Sequence, residues 1–278
     1  MVLLFQISVV LYIVSTALGL AYLTSRDEEL AVWKFRLLGL GVALHTLSIA
    51  AMLKGFWMFP ENRFYFPIHS FFGALSWLAY TNAAIFLLIE AFARLRILGA
   101  FVLPWSCLAG AAALFARPEL GPVGENLRSF RLNLHPLLLM FAYTAFANAF
   151  GVGWALLIQE SQIKSRKPTE LCYRLPPIEE LDQLHYRIIA WFFPVLTAGL
   201  FMGSLWASTA WTGWISDAKV LATILTWLIY SAYLYMRGFG GYRGRKPIYV
   251  AQTGFISIIF AFFIVNYLSA QHGFLYGR

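Results

Sequence analysis

Charge is scarce in this chain: Asp, Glu, Lys and Arg make up only 12% of its 278 residues, against about 25% in an ordinary soluble domain. Cysteine is scarcer still, with Cys107 in an apolar stretch and Cys172 in a polar one. Two thiols so placed exclude a disulfide framework. No C-x-x-C-H occurs, so the chain does not itself carry a covalently bound c-type haem. A Ser/His/Asp order, a phosphate-binding glycine loop, low-complexity tracts and internal repeats are likewise missing. Acidic residues number 13 against 21 basic ones, a net charge of +8.

What fills the chain is apolar. The set AVILMFWYC supplies 60% of the residues and the mean hydropathy is +0.68. A single soluble core cannot hide that much apolar surface, so the composition describes an integral membrane protein. Aromatic residues are abundant, with 25 Phe, 14 Tyr and 10 Trp.

A helical span needs about 20 predominantly apolar residues. Eight stretches qualify, near 2–24, 37–53, 68–93, 97–116, 134–159, 186–208, 219–236 and 248–270. The expected fold is therefore all-α, one membrane domain covering 1–278 with eight transmembrane helices. Met1 to Leu23 carries no charged side chain, which favours a retained span over a cleaved signal peptide.

The basic residues report orientation. Fourteen of the 21 fall in or beside the loops after spans one, three, five and seven, and seven fall on the opposite side. The bias places the odd loops in the cytoplasm and both termini on the outer, periplasmic side. Gly238 to Lys246, with three basic and no acidic residues, is the clearest segment. Positive charge is then a topological record, and nucleic acid is excluded as a partner. Glu179, Glu180 and Asp182, ahead of the sixth span, read as an acidic first helical turn.

On this topology His69, His135 and His272 lie at outer ends of spans, His45 is mid-span and His185 is at a cytoplasmic edge. The outer loop at about 206–219 carries Trp206, Trp211 and Trp214 within nine residues. A single interfacial Trp is ordinarily a membrane anchor, and a span-end His is ordinarily a hydrogen-bonded interfacial residue. Three Trp beside two or three His suit a large flat apolar ligand with a metal centre and two carboxylates, which haem is. Arg63, Arg128, Arg131 and Lys219 are candidates to meet its propionates. His45 has two readings, an intramembrane ligand or a hydrogen-bonded partner of a neighbouring helix.

Several motifs follow in order: Leu134-His135-Pro136 with Phe141-Ala142-Tyr143, Leu175-Pro176-Pro177, Glu180-Leu181-Asp182-Gln183-Leu184 with Tyr186, Trp206-Ala207 to Asp217, and Thr226-Trp227-Leu228-Ile229-Tyr230. In this order they resemble the cytochrome c assembly family that includes CcsA and ResC, well over 130–272 and loosely before that. The resemblance implies a haem-binding protein of c-type cytochrome biogenesis, multi-pass in a bacterial-type inner membrane. Haem b would be held between His135 and His272 as axial iron ligands, against the tryptophan-rich loop known as the WWD domain. The carried-over site is His135, His272, Trp206, Trp211, Trp214 and Asp217, with His69 and His45 as further candidates. Implied partners are haem, apocytochrome c and a second membrane protein with an external domain.

Departures from the family pattern are specific. The family loop runs W-G-x-Y-W-x-W-D-P-K-E-x-W, but here it is one residue shorter, with Ala218 for the proline, Val220 for the glutamate and Ala222 for the last tryptophan, while Lys219 and Trp227 stay in register. Tyr235 stands where synthases have an inner histidine, and the spacing from Asn266 to His272 is one residue short. These features are closer to the HemX-type branch. The alternative they raise is a regulatory or structural membrane subunit that keeps the fold without haem ligation chemistry.

Overall fold

The computed structural model describes residues 1–25, 27–63, 65–68, 70–118, 121, 130–165, 169–210 and 212–262. Among these residues the structure is helical, with no strand. The helices are α1 (Val2–Ser25), α2 (Glu28–Phe56), α3 (Phe71–Ala93), α4 (Gly99–Leu114), α5 (Phe130–Lys164), α6 (Glu170–Arg174), α7 (Ile178–Ala210), α8 (Ala218–Gly238) and α9 (Arg245–Phe260). Seven of them are long and apolar enough to cross a membrane. The eighth expected span, near 248–270, is helical over α9, and its part beyond residue 262 lies outside the described residues.

All helices but the short α6 run alternately up and down between two ends. One end, here the tryptophan end, carries the connections before α3, before α5 and between α7 and α8. Asn62 Nδ2 donating to the Gly121 carbonyl (3.0 Å) and the Phe66 N–H donating to Asn133 Oδ1 (3.0 Å) tie these connections together. The other end, the basic end, carries Arg174, whose guanidinium donates to the Leu23 carbonyl at the close of α1.

Local chemistry sets the helix ends. Asp27 accepts from the Glu29 N–H (3.0 Å) and caps α2, with Glu28 and Glu29 in its positive first turn. Ser70 caps α3 by accepting from the Gly73 N–H. Gly73 is required there, since a Cβ would lie 1.8 Å from the Pro67 carbonyl oxygen. The acidic turn expected before the sixth span exists as Glu179 and Glu180 in the first turn of α7. α5 and α7, 35 and 33 residues long, measure about 50 Å at 1.5 Å per residue. They exceed the hydrophobic stretches read from sequence because a helix continues into polar surroundings wherever capping and packing support it.

Small residues let the helices approach, as expected where lipid removes the hydrophobic drive for association. A Cβ on Gly41 would touch the Tyr12 ring at 3.0 Å, and one on Gly110 would touch Val9 at 3.0 Å. Buried amides link three helices: Asn148 Nδ2 donates to Asn82 Oδ1 (2.9 Å), and Asn82 Nδ2 donates to Ser106 Oγ (2.8 Å). Phe146 of α5 stacks on Tyr230 of α8, with centroids 4.0 Å apart.

One basic residue does not report topology. Lys34 is fully buried in α2, with Nζ 2.8 Å from Glu90 Oε1 of α3 and donating to the Arg96 carbonyl at 2.5 Å. Neither Glu90 oxygen has a hydrogen bond of good geometry, so the pair is chiefly Coulombic. Gly99 makes the room, since a Cβ there would lie 3.1 Å from the ammonium. Cys107 and Cys172 are both free thiols.

Candidate functional site

At the tryptophan end α5, α7 and α8 enclose a cavity of about 480 Å³, within the roughly 300–1,000 Å³ of small-molecule and cofactor sites. The segment before α3 and Ala261 and Phe262, just after α9, complete its wall. The lining is overwhelmingly apolar and aromatic. His135, Trp206, Trp214 and Lys219 all line it, so three of the sequence candidates and one propionate candidate meet in a single space.

His135 is held by α7. Its Nδ1–H donates to the Gly199 carbonyl at 2.7 Å, which in a neutral imidazole leaves Nε2 with the free lone pair. A metal-binding histidine is commonly oriented this way, with its other nitrogen tied to a carbonyl. The ring lies directly over Gly203, where a Cβ would stand 2.4 Å from Cε1 and 2.5 Å from Nδ1. Gly199 leaves similar room for Leu139, 2.8 Å from its missing Cβ. Two glycines one helical turn apart therefore form the notch that seats α5. The G-x-x-x-G spacing was readable in the sequence, and its relation to His135 needed the packing.

The tryptophans occupy different elements. α7 runs on to Ala210, so Trp206 is helical and not part of the loop. Its side chain belongs to the wall because backbone bonding in α7 persists beyond the apolar span. Trp214 opens a single 3-10 turn, Trp214–Ser216, set up by Gly213 at a φ of 73° that a side chain would disfavour. Asp217 follows as the cap of α8, accepting from the Lys219 and Val220 N–H groups at 2.9 and 3.4 Å. That cap holds Lys219 in the first turn of α8, facing the cavity. Among the described residues Lys219 is the sole cation in the lining.

The remaining candidates lie elsewhere. His45 is fully buried among α1, α2 and α3, with Nδ1 3.2 Å from the Tyr12 hydroxyl and Nε2 2.9 Å from Ser76 Oγ. Both ring nitrogens are thus within hydrogen-bond reach of hydroxyls, and the residue is not in the cavity wall. Tyr235 is two-thirds exposed on α8 and stacks on Phe239, turned away from the bundle interior. Arg63 is exposed and outside the lining. His69, Trp211, His272 and Arg128 lie outside the described residues, as does the side chain of Arg131. No group of three or more His, Cys, Asp or Glu that could hold a metal ion occurs among the described residues. A metal here would depend on its own macrocycle for most of its ligands.

Thr197, which sequence reading left unassigned, and Trp227, noted there only as staying in register with the family pattern, close the inner end of the cavity. Trp227 Nε1 donates to Thr197 Oγ1 at 2.9 Å, linking α8 to α7, and the Trp227 ring packs on Phe193 at 5.6 Å.

Comparison with known proteins agrees with this architecture. Residues 68–272 match the family model described as Cytochrome C assembly protein. Similar curated proteins include three named "Cytochrome c biogenesis protein CcsA". That of Microcystis aeruginosa is 29% identical over 277 residues, covering 82% of this chain and 84% of the relative. That of a Prochlorococcus marinus strain is 32% identical over 244 residues, covering 77% and 78%. That of Chlamydomonas reinhardtii is 30% identical over 216 residues, covering 74% and 60%.

Proposed function

Because the chain belongs to the cytochrome c assembly protein family, we propose that it binds haem at the tryptophan end of the bundle for c-type cytochrome biogenesis. His135, through Nε2, and His272 would hold the haem iron. Trp206, Trp211 and Trp214 form the aromatic wall, and Lys219 meets a propionate. Asp217 acts by fixing the start of α8, and His69 is a third imidazole at the same end. The observation that carries this reading is the His135 imidazole, tied through Nδ1 to Gly199, in the wall of an apolar cavity whose described lining has one cation.

When bound, haem b supplies the iron and the reactive edge; the chain supplies binding and orientation. Apolar walls would keep water from the macrocycle, and Lys219, by pairing with its carboxylate edge, would set which way round it sits for the thiols of apocytochrome c. A second membrane protein with an external domain delivers that client. In this proposal the protein sits in a bacterial-type inner membrane as one domain of eight spans, with both termini and the tryptophan end on the outer side, a placement that its Lys and Arg distribution supports. His45 would have to give up its contacts with Tyr12 and Ser76 to ligate iron.

One observation favours the second reading. Tyr235, at the position of the synthase histidine, faces away from the interior, as suits a HemX-like regulatory or structural subunit that retains the fold without ligation chemistry.

Oxidised and reduced absorption spectra of gently purified protein separate the two. A Soret band is expected, and His135→Ala or His272→Ala should abolish it. Unchanged spectra in both variants refute the axial assignment, and a haem-free chain that copurifies with another membrane complex supports the regulatory reading.

A further inference from the structure

Among the described residues the cavity is open at its side. Thr197 and Phe201 of α7 and Ile224 of α8 all line it, and all three are exposed. Phe201 keeps 61% of its surface accessible. Exposed lining residues on both helices mark an opening in the wall among the described residues. This one lies between α7 and α8, at the depth of the apolar spans.

The cause is in the two helices. Their side-chain hydrogen bonds run from the basic end inward: Arg237 to Asp182 at 2.6 Å, His185 with the Tyr233 hydroxyl at 2.9 Å, and Trp227 to Thr197 at 2.9 Å. The last of these bonds lies at the level of the cavity, which both its residues line. Pro194 sits inside α7 just before that point, where it removes a backbone hydrogen bond. Beyond it, Gly199 and Gly203 seat α7 closely against His135 and Leu139 of α5. α7 is thus packed tightly on α5 at this level, and its seam with α8 carries the slot, with Trp227 and Thr197 as its sill.

We infer that the cavity exchanges its cargo sideways with the membrane, a flat apolar macrocycle passing through the slot between α7 and α8 above the Trp227–Thr197 sill. An apolar ring system partitions into hydrocarbon, and the slot joins hydrocarbon to an apolar wall without crossing the charged surface. The polar edge of the cargo travels toward Lys219, at the top of the slot. The identity of the cargo rests on the haem reading above; the route does not.

The test uses the full chain in lipid nanodiscs. Phe201→Cys and Ile224→Cys, one on each lip, are combined and bridged with a bismaleimide, the same double variant before bridging serving as reference and each single variant as control. Haemin added to the lipid is followed by its Soret change, and release is followed with an apo-haemoprotein acceptor. Bridging is expected to slow uptake and release roughly tenfold or more at unchanged final occupancy. Unchanged rates overturn the lateral route and leave the haem reading standing. If the unbridged protein takes up no haemin, the haem reading fails and a second measurement decides the route. Bimane on Thr223→Cys, a buried wall position, should be quenched by acyl-chain doxyl lipid as strongly as bimane on lipid-facing Leu225→Cys, and bridging should remove only the former quenching. Absence of quenching at Thr223→Cys overturns the slot.

Discussion

Gly203 decides more about His135 than any polar neighbour does. A methyl group at that position would occupy the place of the imidazole ring, so Gly203→Ala should displace the ligand while leaving the helix intact. Haemin affinity should fall by about 10- to 100-fold, the usual cost of disturbing a ligand's outer support. Gly238→Ala, where nothing lies within 4 Å of an added Cβ, should bind haemin as the parent does; equal binding by both variants would disprove the notch. Asp217 makes a complementary case. As a cap, it should tolerate Asp217→Ser or Asp217→Asn, whereas Asp217→Ala should cost about 0.5–2 kcal/mol in thermal unfolding. Loss of haemin binding in the Ser and Asn variants at unchanged stability would instead mark Asp217 as a direct contact to the cargo. Placement at one end of the spans and the order of the motifs marked His135 and the tryptophans as candidates. It could not reveal Gly203, since a missing side chain matters only through what stands opposite it.

At the level of elements, α2 and α3 are joined by a charge pair in apolar surroundings. Removing one member of a buried pair strands the other, at a typical cost of about 3–5 kcal/mol, while apolar replacement of both is often neutral or stabilising. Lys34→Met and Glu90→Gln should each lower the detergent unfolding midpoint sharply, and Lys34→Met combined with Glu90→Met should recover most of the loss. Additive losses in the double variant would show that the two residues act independently. In sequence Lys34 looks like one more basic residue near a span end, because Glu90 is 56 positions away and only the α2–α3 packing brings them together. The tryptophan segment carries the same lesson. It reads as one loop, but α7 takes Trp206, a 3-10 turn takes Trp214 and α8 takes Lys219, so the cavity wall is assembled from three elements that meet only in the bundle.

For the whole molecule the alternating run of the helices puts all connections of one parity at one end, and the proposed orientation, argued from the basic bias, puts that end in the cytoplasm. In intact cells a membrane-impermeant maleimide should label Ile215→Cys, whereas Arg243→Cys should react only after permeabilisation. The opposite pattern would invert the orientation and with it the side on which haem is held. Length and composition by themselves determined that the chain is a helical membrane protein, since 60% apolar residues have no other solvent, and the spacing of apolar runs located every long helix, because about 20 such residues are needed to cross hydrocarbon. The order of the motifs pointed to the family. What tertiary structure alone decided is which candidates share a space. His135 and Trp206 reach the cavity and His45 does not, because helix crossings are set by glycines whose effect depends on the partner helix. Periodicity along one chain records which face is apolar; it carries no information on which neighbour that face will meet.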